Sequence, residues 1–252
     1  MSSNAAIRVS DLSLAIGGAK IVDGVTLEVA PGELLGIIGP NGAGKTSLFN
    51  LISGLRPATR GKIFLGDDDI TTESTSSRAS KGLGRTFQTS SVFTKLSVLE
   101  NVRLAAEAAM GGSMKITRRA YSFKPAIEKA EQALNAVGLS DKKLSFAGSL
   151  SHGDKRRLEI AIVLASDAKV VMLDEPMAGM SVENVPVLTE IIRSLSRDYN
   201  RTVLMVEHHM HVVLGLADRI AVMHQGELLI CADPQTVIND PTVQSAYLGE
   251  SL

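Results

Sequence analysis

The chain has 252 residues, 44% hydrophobic and 21% charged, which is length and apolar content enough for one large domain or two small ones. A formal net charge of −1 removes the electrostatic case for a nucleic-acid partner, and with no Trp and 4% aromatics there is little to stack on bases. No apolar run approaches the roughly eighteen residues that span a bilayer, the first residues lack the apolar core of a signal peptide, and Cys231, the single cysteine, excludes an internal disulfide and fits a reducing cytosol as a small buried filler.

The chain opens with two predicted strands, Ala6 to Leu14 and Ile21 to Val29, separated by a turn at Gly17-Gly18. Leu34-Leu35-Gly36-Ile37-Ile38 follows as a fully apolar run, the mark of a buried parallel strand. Next comes Gly39-Pro40-Asn41-Gly42-Ala43-Gly44-Lys45-Thr46, then Ser47 and a helical spacing of Leu48, Leu51 and Ile52 closed by Gly54. Glycines at 39, 42 and 44 let the backbone curl so that successive N–H groups point at an anion, and the helix start adds its unpaired donors and positive dipole end. Lys45 is placed to reach the β- and γ-phosphates, and the Thr46 hydroxyl to ligate Mg²⁺. A glycine-rich turn with a chance Lys-Thr is the bland alternative; the strand before and the helix after it favour a nucleoside-triphosphate site.

Gly61 to Gly66 reads as a short strand entering a turn at Asp67-Asp68-Asp69, an acidic triplet expected at a solvated hairpin tip rather than at a metal. Gln88 lies where strands give way to helices, predicted over Val98 to Met110 and Lys124 to Val137 with the break at Gly111-Gly112. Between those helices Lys115, Arg118 and Arg119 form a basic cluster, either a solvated face or a membrane or partner contact. Ser151, ahead of a helix carrying Leu158, Ala161, Ile162 and Ala165, is an N-cap candidate, and that helix start is a second anion site or simply a capped helix. Val170 to Leu173 is an apolar strand ending in Asp174 and Glu175, the edge at which ligands of open α/β sheets collect. One such carboxylate suits Mg²⁺ and the other suits a water-activating base. A helix near Val185 to Arg197, a strand Thr202 to Glu207 ending at His208, and a strand pair turning at Gln225-Gly226 complete the chain. One α/β domain with a helical insertion fits this order, because the second β-rich part needs the first to complete its sheet.

These motifs in this order resemble the ATP-binding subunit of ABC transporters, over essentially the whole chain. The resemblance implies a P-loop NTPase core, a RecA-like sheet with an antiparallel β subdomain, and a helical subdomain inserted at about residues 89–165 of a single 1–252 domain. It implies ATP as substrate and Mg²⁺ as cofactor. It makes residues Gly39, Pro40, Asn41, Gly42, Ala43, Gly44, Lys45, Thr46 and Ser47 the phosphate loop, and Ser151 with Gly153 the signature motif. Glu175 becomes the general base, His208 the γ-phosphate switch and Gln88 the Q-loop glutamine, with Thr46, Gln88 and Asp174 around the metal. Two such subunits, identical or sister, would pack head to tail with each ATP between them. Membrane permease subunits and, through the complex, an extracytoplasmic solute-binding protein are the further partners, which places the chain peripherally on the cytoplasmic face of the inner membrane. Gly84 to Gln88, Leu158 to Ala161, Ala178 to Met180, Val206 to Met210 and Ala246 to Glu250 are similar to the importers of branched-chain amino acids and urea. Leu150-Ser151-His152-Gly153 leans toward the urea and amide branch.

Four positions depart from that pattern. Ile16 stands where an aromatic ring stacks on adenine, Asp154 replaces the signature glutamine, Ser181 replaces the D-loop aspartate, and His209 adds a second, exposed histidine. Residues Ser91, Val92 and Phe93 are either a groove floor for a permease helix or a buried hinge. A non-transport ATPase of the same fold is disfavoured for want of a coiled coil or basic surface, and a small-molecule kinase for want of an arginine-rich lid. A subunit that only binds ATP is disfavoured by Glu175 and His208.

Overall fold

The computed structural model describes residues 5–86, 92–111 and 124–246. Two sheets carry it. An antiparallel sheet of four strands runs in the order β2-β1-β4-β5, with β1 Ile7–Ile16, β2 Ala19–Val29, β4 Arg60–Leu65 and β5 Asp68–Asp69. A second sheet of six strands runs β10-β9-β3-β8-β7-β6, with β3 Leu34–Ile38, β6 Leu83–Arg85, β7 Val170–Asp174, β8 Thr202–Val206, β9 Arg219–His224 and β10 Glu227–Ala232. From β9 across to β6 every pairing is parallel, and only β10 runs antiparallel.

Strands β3, β7 and β8 are buried at every residue, as a parallel sheet covered on both faces requires. Their side chains alternate between two cores. Leu35, Ile37, Val170, Met172, Leu204 and Val206 face the antiparallel sheet and helix α1 (Lys45–Ile52). Leu34, Ile38, Val171, Leu173, Val203 and Met205 face the helical layer on the other side. The period-two alternation of a strand is therefore what divides one apolar run between two layers.

Three helices, α3 (Val98–Ala109), α4 (Lys124–Ala136) and α5 (His152–Ala165), pack on one another between β6 and β7 in the chain. Ser97 caps α3 and Ser151 caps α5, each hydroxyl accepting the N–H three residues on. Helix α6 (Val185–Arg197) and α7 (Met210–Leu216) follow β7 and β8, and α8 (Pro234–Asn239) and α9 (Pro241–Ala246) close the described chain.

The strand and helix expectations hold within a residue or two at most ends. Four features escape the periodicity: α2 (Thr75–Ser80), β6, α7 and the α8–α9 pair are short and rest on tertiary partners. Helix α2 carries Arg78, which is buried and donates to Leu51 O at 2.7 Å and Ile52 O at 2.6 Å, carbonyls at the C-terminus of α1. It donates also to Thr71 O and Glu73 O, and its burial lowers its affinity for the proton. The acidic triplet is the hairpin tip expected, with Asp69 held by Thr71 and Lys62. Cys231 is half-buried rather than fully buried, packing against the core's edge while Arg219 Nη2 donates to its Sγ at 3.0 Å.

Candidate functional site

The loop between β3 and α1 is shaped by backbone that only glycine tolerates well. Gly44 has φ 96°, and a Cβ there would sit 2.7 Å from the Ile21 carbonyl oxygen. Helix α1 begins at once after it with no side-chain cap and no acidic residue in its first turn. A helix start with neither is the cradle an anionic phosphate fits. Lys45 is buried, and its ammonium donates to Gly39 O at 2.6 Å and Pro40 O at 3.0 Å, so the loop holds its own cation at its centre.

Three further segments complete a cavity of about 350 Å³. It is lined by residues 41–47 of the loop, by Ile21 of β2, and by Glu175 and His208. Strands β7 and β8 are parallel neighbours, so the residues leaving their C-terminal ends arrive side by side. Glu175 stands at φ 48°, a left-handed conformation costing about 1–2 kcal/mol in a residue with a Cβ, and such strain gathers at functional positions. Its N–H still donates to Val206 O at 2.9 Å, while the turn in the chain sends its carboxylate to His208, whose Nε2 lies 2.8 Å from Glu175 Oε1.

Asp174 does not line the cavity. Its side chain is 3% exposed, and Oδ2 accepts from Arg85 Nη2 at 2.7 Å, with Arg85 also donating to Asn50 and Ser53 of the α1 end. Arg85 is the residue that sequence reasoning passed over. It stands three positions before Gln88, and only the parallel pairing of β6 with β7 brings it to Asp174. Among the described residues no group of three or more His, Cys, Asp or Glu side chains forms a metal cage. The oxygen donors at hand, the exposed Thr46 hydroxyl and the carboxylate of Asp174, suit a hard cation that keeps phosphate and water in its shell. Gln88 and Ser91 lie outside the described residues.

Ser151 and Gly153 are not part of this cavity. They sit at the start of α5 against the loop that follows Glu175: His152 Nε2 lies 3.0 Å from Ala178 O, and a Cβ on Gly153 would meet Met180 and Asn184 at 3.5 Å. The departures now have surroundings. The Asp154 carboxylate is taken by Lys142 at 2.6 Å and by Arg157. Burial alone would raise that carboxyl, but Lys142, Ser151 and Arg157 outweigh it and hold it below the usual carboxylate range. Ser181 Oγ accepts from Asn184 Nδ2 at 2.8 Å. Ile16 is exposed at a hairpin end, and Ile21 lies on the cavity wall. His209 is half-exposed but anchored, its Nδ1 lying 3.0 Å from the buried carboxylate of Glu207.

A family model described as ABC transporter matches residues 22–178. The chain is 37% identical over 250 residues to the high-affinity branched-chain amino acid transport ATP-binding protein LivG of Escherichia coli (strain K12), covering 97% of this chain and 98% of that one. It is 33% identical over 246 residues to the lipopolysaccharide export system ATP-binding protein LptB of the same organism, covering 98% of each. A solved ATP-binding cassette of an ABC transporter in its ADP conformation superposes with a TM-score of 0.85 at 29% identity, covering 98% of this chain and 100% of that one.

Proposed function

The chain belongs to the ABC transporter family of ATP-binding proteins, and from that premise we propose that it is the ATP-hydrolysing subunit of an importer of branched-chain or other hydrophobic amino acids. The observation that carries the reading is the cavity in which the phosphate loop, Glu175 and His208 meet. Glu175 is the general base: its carboxylate takes a proton from the attacking water, and His208 Nε2, 2.8 Å away, orients that carboxylate and then the γ-phosphate. Lys45 leaves its own loop carbonyls to bind phosphate oxygens, and the N–H groups of residues 42–47 stabilise the charge that grows on them. Thr46, Asp174 and Gln88 would hold Mg²⁺, which when bound draws off phosphate charge. Arg85 holds the Asp174 carboxylate in place through its 2.7 Å contact.

Ser151 and Gly153 stand apart from the cavity, which accords with a head-to-tail pair in which each signature helix serves the partner's nucleotide. The partner is a second copy or a sister ATPase. Residues 1–252 are read as one cassette whose α3–α5 layer, at about 89–165, is the helical subdomain. Phe93 is 61% exposed and Phe146 is 65% exposed, on segments joined by the Ser97–Phe146 bridge. We assign this apolar face, with Val92, to a permease helix at the cytoplasmic side of the inner membrane, beneath an extracytoplasmic solute-binding protein; no described helix is long and apolar enough to cross the membrane itself. The choice of amino acids follows the similarity to LivG, and the Leu-Ser-His-Gly signature supports a urea or short amide importer as the second reading.

Glu175→Gln tests the assignment. The amide keeps shape but not basicity, so ATP binding should persist while turnover falls by about 10²–10⁴, and ATP should trap a dimer on gel filtration. Undiminished steady-state hydrolysis by this variant refutes the role given to Glu175.

A further inference from the structure

Strand β8 ends at Val206, and the next side chain, Glu207, is 1% exposed. A carboxylate taken from water at that depth is costly unless its lone pairs are filled. Glu207 fills them from two different loops. Oε1 accepts the Met177 N–H at 2.7 Å, in the segment just beyond Glu175. Oε2 accepts the His208 N–H at 3.1 Å and faces the His209 ring Nδ1 at 3.0 Å. The two loops are also tied above this point, where His208 Nε2 meets Glu175 Oε1 at 2.8 Å. A closed circuit results: Glu175 leads along the backbone to Met177, across Glu207 to His208, and back to Glu175. From Met177 the same loop runs on to Ala178, whose carbonyl lies 3.0 Å from His152 Nε2 at the head of α5.

We infer that Glu207 is a positioning residue that makes the His208 loop and the loop at 176–179 move as one body. Among the described residues its carboxylate is the one side-chain group that holds Met177 N–H and His208 N–H together, so a shift of His208 on loss of the γ-phosphate carries Met177 with it. Through Ala178 and His152 the shift reaches the signature helix, which by the reading above serves the other nucleotide. The inference rests on that reading for the meaning of the motion. The linkage itself stands on the hydrogen bonds.

The test is Glu207→Gln. An amide has a single acceptor oxygen, and its NH₂ cannot accept, so it cannot hold Met177 N–H and His208 N–H at once. For the full chain, ATP affinity by equilibrium titration should stay within about threefold and KM should barely change, while kcat falls at least about tenfold. Amide NMR supplies a readout that mere destabilisation would not move. In the wild type the Met177 and His208 resonances should shift together when a non-hydrolysable ATP analogue replaces ADP, and in Glu207→Gln only His208 should respond. His209→Leu, which leaves the Glu207 carboxylate and both backbone donors in place, serves if the first variant does not fold: its Met177 and His208 resonances should still shift together, and their separation in it would overturn the inference. Joint movement of the two amides in Glu207→Gln, or an unchanged kcat in the folded variant, overturns the inference. A wild type that neither binds nor cleaves ATP would instead overturn the proposed function.

Discussion

Arg85→Met removes the guanidinium beneath the phosphate site and keeps most of its apolar volume. In the native fold Arg85 and Asp174 are 7% and 3% exposed, with Nη2 and Oδ2 2.7 Å apart, and Arg85 also serves Asn50 Oδ1 at 2.9 Å and Ser53 Oγ at 2.7 Å. Breaking a buried pair by taking one partner strands the other charge at a cost of about 3–5 kcal/mol, against 0–1 for an exposed pair. In a chain of this size each kcal/mol moves Tm by roughly 2–4 °C, so the melting temperature should fall by about 6–20 °C. Calorimetry and urea unfolding at neutral pH both read this. Adding Asp174→Asn to the variant should recover part of the loss, since the neutral amide no longer strands a charge. A loss under about 1 kcal/mol would mean that water reaches Asp174, and the anchoring role given to Arg85 would fall.

Two more outcomes follow from backbone and side-chain geometry. Gly42 and Gly44 both have left-handed φ, 81° and 96°, but a Cβ at 42 meets nothing within 4 Å whereas one at 44 lies 2.7 Å from Ile21 O. Gly42→Ala should therefore cost about 1–2 kcal/mol of conformational strain, and Gly44→Ala a further 1–3 kcal/mol for the contact, with equal urea midpoints refuting the distinction. At the hairpin tip the Thr71 hydroxyl, then the Thr71 N–H, and after them Lys62 draw Asp69 from 3.8 to about 2 against its small burial cost. A carboxyl lowered by folding adds stability that is whole above its unfolded value near 4 and disappears as pH falls through about 2. Carbonyl NMR titration should place Asp69 near the lower figure in the wild type and return it toward 3.8 in Thr71→Val; a wild-type midpoint near 4 contradicts the assigned hydrogen bonds.

The phosphate loop was legible because its chemistry lies in consecutive residues. Glycines that permit the turn, the lysine and the threonine all fall within Gly39 to Thr46, between an apolar run and a helical spacing. Strands β3, β7 and β8 were legible for a similar reason, since burial on both faces leaves an unbroken apolar stretch whatever surrounds it. Asp174 and Glu175 were readable as a pair at a strand end, but not that they part company, one sinking to Arg85 and the other turning at φ 48° toward His208. Nothing in the composition of residues 75–80 predicts a helix; there it is tied by the Ser74 cap and by Arg78, which donates to the terminal carbonyls of α1.

The amino-acid order thus determined which groups the chain carries for phosphate chemistry, because local backbone preference and hydrophobic run length act over a few neighbouring residues. Tertiary structure alone decided which of them meet. Parallel pairing sets β6 beside β7 and β7 beside β8, and so delivers Arg85 to Asp174, His208 to Glu175, and Glu207 to two loops at once. Those contacts join residues up to 89 positions apart. No local rule spans that distance; register in a buried sheet does, since a slip of one residue would turn every side chain of the strand to the opposite layer.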